Sequence, residues 1–170
     1  MRLFGLDGMR LRGAAMTAAV VTSMVAAAAA PGMAAEIIVR IDRVAAIDKI
    51  DVGAGQADFY ARVTIDGQVF QTERIRRADI ITPNWVITKR VRSGGTYPVK
   101  LEILDKDVWS KDDAIDINRV DNKRDLDFRV RTSNCRVLDF SPTQACGTRI
   151  VRTGLEKKAA EVTFRVQVRR

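Results

Sequence analysis

The chain has 170 residues, 46% of them hydrophobic and 29% charged, which is a globular rather than a disordered mix. Lys and Arg outnumber Asp and Glu by 29 to 21, a formal net charge of +8 that fits anionic partners such as lipid headgroups, polyanions or acidic proteins, or equally plain solubility. There is no histidine, which excludes Ser-His-Asp triads, Cys-His dyads and His-ligated metals, and 6% aromatics is too few for a stacking platform on single-stranded nucleic acid.

At the N-terminus, Arg10 and Arg12 precede an apolar run from Ala14 to Ala30, followed by Pro31-Gly32 and then Met33-Ala34-Ala35. A charged start, an apolar stretch and a small-residue cut site in that order predict an export signal over residues 1–35. The competing reading is a membrane anchor, but the run is alanine-dominated and short for a span. Cleavage would remove Arg2, Arg10, Arg12 and Asp7 and leave a basic domain over 36–170. The expected location is outside the cytoplasm, periplasmic or secreted, and peripheral to a membrane.

The rest reads as strands. Ile37, Val39 and Ile41 alternate with polar neighbours. So do Phe59, Ala61, Val63 and Ile65, then Val99, Leu101 and Ile103. Leu126, Phe128 and Val130 follow, and last Val162, Phe164, Val166 and Val168. Period two with polar partners predicts strands with one buried face. Asp66-Gly67 predicts a tight hairpin, Ser93-Gly94-Gly95 another turn, and Pro83-Asn84 the start of a strand at Trp85. No helix of ten residues is expected; Leu155 to Glu161 gives one or two turns at most. About eight short antiparallel strands predict an all-β sandwich.

Two cysteines, Cys135 and Cys146, allow one pairing. In an exported chain a disulfide is the expected state, closing a cysteine-bearing hairpin at 132–148.

Two groups of acids stand apart. Asp51 and Asp58 flank a glycine-bearing loop before the strand from Phe59, and Asp105, Asp107, Asp112 and Asp113 follow the strand that ends at Leu104. Crowded loop carboxylates repel one another, and a calcium ion with its six to eight oxygens would relieve that; a solvated acidic loop is the alternative. No EF-hand loop occurs.

Taken together, these motifs resemble a C2 domain from Asp51 to Ile117. Asp58-Phe59-Tyr60-Ala61 is similar to the family's Asp-Pro-Tyr-Val strand start, and Thr82-Pro83-Asn84-Trp85 to its Asn-Pro-x-Trp corner. Leu101 to Asp107 with Asp113 is similar to its Asp-x-Asp loop and following Asp. The resemblance implies an eight-stranded antiparallel C2-like sandwich and a Ca²⁺ site of Asp51, Asp58, Asp105, Asp107 and Asp113. Asp48 is the alternative first ligand, because the step from Asp51 to Asp58 is one residue long for the family. Phe59 replaces the family's proline, Asp116 replaces a glycine, and the cysteine hairpin has no counterpart.

It further implies membrane-entering tips at Val52 and at Val108-Trp109, the Trp ring either anchoring at the interface or folding back. A basic patch of Arg74, Arg76, Arg77, Lys89, Arg90 and Arg92 would meet anionic headgroups or form a solvated face. The expected function is a calcium-binding, non-catalytic module docking on anionic membrane or polyanion surfaces. The alternative is a structural or protein-interaction subunit in which calcium only stabilises or plays no part. No nucleic-acid partner is expected.

Overall fold

In a computed structural model of the chain, residues 34–50, 56–107 and 111–170 are described. They contain twelve strands and no helix. Eight strands are four residues or longer: β1 (Ala34–Ala46), β2 (Phe59–Ile65), β3 (Gln68–Gln71), β5 (Trp85–Arg92), β6 (Thr96–Asp105), β8 (Leu126–Arg131), β11 (Ile150–Thr153) and β12 (Ala160–Arg169). The short ones are β4 (Ile80–Ile81), β7 (Asp113–Ile115), β9 (Arg136–Leu138) and β10 (Gln144–Ala145). All strand pairings within the two sheets are antiparallel, as expected for this sandwich.

One sheet runs β11-β12-β1, with β4 and β5 both against β1; the other runs β10-β9-β8-β6-β2-β3, with β7 added on β6. The inward row of each strand is apolar because side chains alternate. Ile37, Val39 and Ile41 of β1 sit opposite Val168, Val166 and Phe164 of β12. They share one buried cluster with Phe59, Ala61, Val63 and Ile65 of β2 and with Val99, Leu101 and Ile103 of β6. A bulge between Ile41 and Arg43 inserts one residue, so that Val44 returns to the core. The same bulge lets Asp42 accept hydrogen bonds from Arg40 Nε at 3.0 Å and Arg165 Nε at 2.9 Å.

The Asp66-Gly67 hairpin forms with both residues at positive φ, 47° and 77°, the left-handed pair that a two-residue turn needs. Trp85 opens β5 and is half-buried against the edge of the core. The segment 154–159 is a loop that leads into β12, not a helical turn. Its shape is set by Asp116, fully buried, whose Oδ2 accepts the N–H groups of Leu155 at 2.7 Å and Glu156 at 2.6 Å while Oδ1 accepts that of Asn118 at 2.9 Å. Gly154 is required there: a Cβ would stand 2.1 Å from the Asp116 carbonyl oxygen. Three backbone donors make this site hospitable to a carboxylate, where the C2 resemblance has glycine.

Cys135 and Cys146 form a disulfide, with Cα atoms 5.3 Å apart. The bond closes the arm built by β9 and β10, and the Cys146 N–H donates to the Cys135 carbonyl at 3.0 Å.

Candidate metal centre

The antiparallel pairing of β2 with β6 places Phe59 opposite Asp105. The chain entering β2 and the chain leaving β6 therefore meet at one end of the sandwich. On the other side of β6, the register of β7 sets Asp113 opposite Asp105. Residues directly opposite in a sheet point to the same face, so two carboxylates stand side by side where the apolar row of β6 runs out. Asp105 is 3% exposed, and its Oδ1 accepts the backbone N–H of Asp58 at 2.6 Å. The Lys106 N–H donates to the Asp58 carbonyl at 3.0 Å, which closes the pairing.

Three of the five expected ligands, Asp58, Asp105 and Asp113, are thus tied to one another through strand register. Asp107 is half-buried two residues beyond Asp105 on the same loop. Asp51 lies outside the described residues, as do Val52, Val108 and Trp109. Asp48, the alternative first ligand, accepts the Ala159 N–H at 3.3 Å and so is occupied in fastening β1 to the start of β12.

Cations already stand on these acids. Lys158 Nζ donates to Asp113 Oδ2. Arg74 lies 3.5 Å from Asp58 Oδ2, and the Arg77 N–H donates to Asp58 Oδ1 at 3.0 Å. Among the described residues, no group of three acidic or cysteine side chains converges to hold a metal ion. The donor set is nevertheless all oxygen, and the Asp105–Asp113 pair puts two like charges directly opposite, an arrangement that calls for a cation between them. Lys158 supplies positive charge at Asp113.

Asp112 has a different task. It accepts the Tyr60 hydroxyl at 2.6 Å and the Lys106 ammonium at 3.0 Å, which latches the loop onto β2. The Tyr60 hydrogen bond, ahead of Lys106, holds the Asp112 carboxyl below its ordinary range. Burial and then the Asp112 contact push the Tyr60 phenol up to about 12.

The basic patch divides. Arg76, Arg77 and Arg92 are exposed, and their side chains make no ion pair among the described residues. Arg90 pairs with Glu36 at 3.4 Å, a carboxylate that Arg169, ahead of Arg90, holds below its ordinary range. Lys89 is turned away from the exposed row of β5. It shares the inward parity of Ile87 and Val91, and its ammonium donates to the carbonyls of Ile65 and Asp66 at 2.9 and 3.0 Å.

Sequence reasoning missed Lys158 and Asp116. Asp116 receives the Ala160 N–H at its carbonyl and donates its own N–H to the Lys158 carbonyl. It therefore positions the loop that delivers Lys158 to Asp113. Its signal was present as the departure from the C2 glycine; Lys158 gave none, since its partner is 45 residues away.

No family model matches the chain, and no curated protein does. Solved structures do. The paired C2 domains of Extended-Synaptotagmin 2 superpose with a TM-score of 0.58 at 15% identity, over 90% of this chain and 48% of that one. Human GIVD cytosolic phospholipase A2 with a bound fluorophosphonate gives 0.50 at 14% identity, over 80% of this chain but only 17% of the enzyme. A C2 domain protein from Ramazzottius varieornatus gives 0.51 at 14% identity, over 81% and 89%. The chain thus spans less than half of the larger proteins it resembles. With two antiparallel sheets and these structural matches, the chain adopts the fold of a C2 domain.

Proposed function

We propose that the protein is an exported, non-catalytic C2-like module that binds calcium at the loop end of its sandwich and docks there on anionic membrane or polyanion surfaces. The observation that carries this reading is the cross-strand pair Asp105–Asp113, fastened through Asp105 to the backbone of Asp58. Asp58, Asp105, Asp107 and Asp113, with Asp51 from the first loop, would hold the ion. Bound calcium supplies positive charge that cancels their repulsion from an anionic surface.

Several features support the reading. The paired C2 domains of Extended-Synaptotagmin 2 have also been solved calcium bound, with a TM-score of 0.51 to this chain at 14% identity. In the sequence, Val52 falls between Asp51 and Asp58, and Val108 and Trp109 fall between Asp107 and Asp113; an amphipathic Trp ring suits the headgroup layer. Arg76 and Arg77 add exposed charge, each base near an anionic surface contributing about 1 kcal/mol. Export is supported by the leader pattern at 1–35 and by the Cys135–Cys146 bond.

The test is co-sedimentation with phosphatidylserine/phosphatidylcholine vesicles, in calcium and in chelator. Binding should require calcium, and Trp109→Ala should weaken it without loss of calcium binding. Equal binding in chelator would overturn the docking reading.

The Lys158–Asp113 pair favours a second reading. Here the ammonium is the permanent cation of the site, and the domain is a structural or protein-interaction subunit. A melting curve unmoved by calcium would select it.

A further inference from the structure

The disulfide-closed arm forms a cavity at a place the calcium reading does not use. Phe140, carried by the arm, packs on Phe128 and Phe164 with ring centroids 5.3 and 6.3 Å away. Asp139 beside it is gripped by Arg129 through two hydrogen bonds of 2.9 and 2.6 Å, which holds the arm against β8. Between this arm, the segment 118–127 and β11 lies a cavity of about 490 Å³. That volume is within the range of small-ligand sites.

One wall of the cavity is apolar and another is cationic. Leu126, Phe140 and Val120 line the first, and Val120 is 56% exposed. Arg119, Lys123 and Arg152 line the second. The Arg152 guanidinium lies over the Phe140 ring, 4.2 Å from its centroid. It donates to the carbonyl of Val151 at 2.9 Å, and no carboxylate pairs with it, with Arg119 or with Lys123 among the described residues. Burial and then the like charge of Arg119 push the Arg152 pKa down, so the cation stands in an unfavourable setting. A half-buried guanidinium with several donors unused is stabilised most by a planar, bidentate anion. Asp127 and the Arg129-bound Asp139 also border the space, which disfavours a doubly charged head.

We propose that this cavity binds a small organic monocarboxylate with a short apolar body, its head on Arg152 and Arg119 and its body against Phe140, Leu126 and Val120. The arm lies outside the motifs that carry the C2 resemblance.

The probe is octanoate, titrated calorimetrically into the full chain, with 1-octanol and inorganic phosphate as comparators. Octanoate should bind with an affinity tighter than about 1 mM, and octanol and phosphate about tenfold more weakly or not at all. Arg152→Gln should weaken octanoate about tenfold, and Arg119→Gln, at an exposed position, should weaken it severalfold without touching the core. Absence of heat with octanoate would overturn the proposal. So would octanol or phosphate binding as tightly as octanoate, or an Arg119→Gln variant that binds octanoate like the wild type. The Arg119→Gln variant and the two comparators keep the test complete even where Arg152→Gln fails to fold.

Discussion

Replacing Lys158 separates the cation built into the loop end from the one it is proposed to receive. Lys158 sits at a φ of 61°, so asparagine is the substitution of choice: it tolerates the left-handed region and removes the charge. The Lys158 and Asp113 side chains are 23% and 43% exposed, so solvent screens the pair to about 0.5–1 kcal/mol. Calcium entering the site must displace this contact. If the ammonium then stays roughly 6 Å from the ion, the residual repulsion in water adds about 1.4 kcal/mol. Together these give Lys158→Asn a calcium affinity roughly 25- to 60-fold higher than wild type. In chelator the same variant should melt a few degrees lower, because Asp113 loses its partner and stands opposite Asp105 uncompensated. Calorimetric titration with calcium reads the first effect and a thermal melt the second. An affinity unchanged or lowered by the substitution would refute the idea that Lys158 competes with calcium.

Four further outcomes are expected. Asp116→Ala strands the N–H groups of Asn118, Leu155 and Glu156 in a buried site, which should cost roughly 3 kcal/mol or more in a urea melt, while Asp116→Asn should recover part of the loss. Tyr60 is raised above its unfolded value, so its contribution is fully present below pH 10 and is lost as pH rises through about 12. Wild type should lose up to roughly 3 kcal/mol across that window and Tyr60→Phe should not, as alkaline unfolding curves would show. Asp112 has the opposite sign: its carboxyl is lowered, so its contribution is present above the ordinary carboxylate range and fades as pH falls below it. Reducing the Cys135–Cys146 bond opens a loop of sequence separation 11, and denaturant melts with and without reductant should differ by roughly 2–3 kcal/mol.

Much of the sandwich was legible because its long strands obey a single rule. In β2, β6, β8 and β12 the odd or even positions are apolar almost without exception, and one face of each is buried. The turn at Asp66-Gly67 was legible for a local reason, since the left-handed pair it needs favours those residues. Counting by charge does not give the place of Lys89: it shares one side of β5 with Ile87 and Val91, and its ammonium reaches the turn at Asp66. Asp116 stood out only as a mismatch, because its three donors come from either side of a loop that no local pattern announces. Strands β9, β10 and β11 are two to four residues long, too short to display a period. The alignment of Asp105 with Asp113 comes from the register of β7 on β6, which the spacing of the acids alone does not give. The pairing of Asp113 with Lys158 depends on a loop that approaches from the opposite end of the chain.

The central claim, that the gathered aspartates hold calcium, is tested most directly by a thermal melt of the wild type and of an Asp105→Asn, Asp113→Asn double variant, each in millimolar calcium and in chelator. Calcium should raise the wild-type melting temperature by mass action, because only the folded chain brings Asp58, Asp105 and Asp113 to one end. The double variant should lose most of that rise. A wild-type curve that is the same in calcium and in chelator would contradict the claim and leave Lys158 as the cation that serves Asp113.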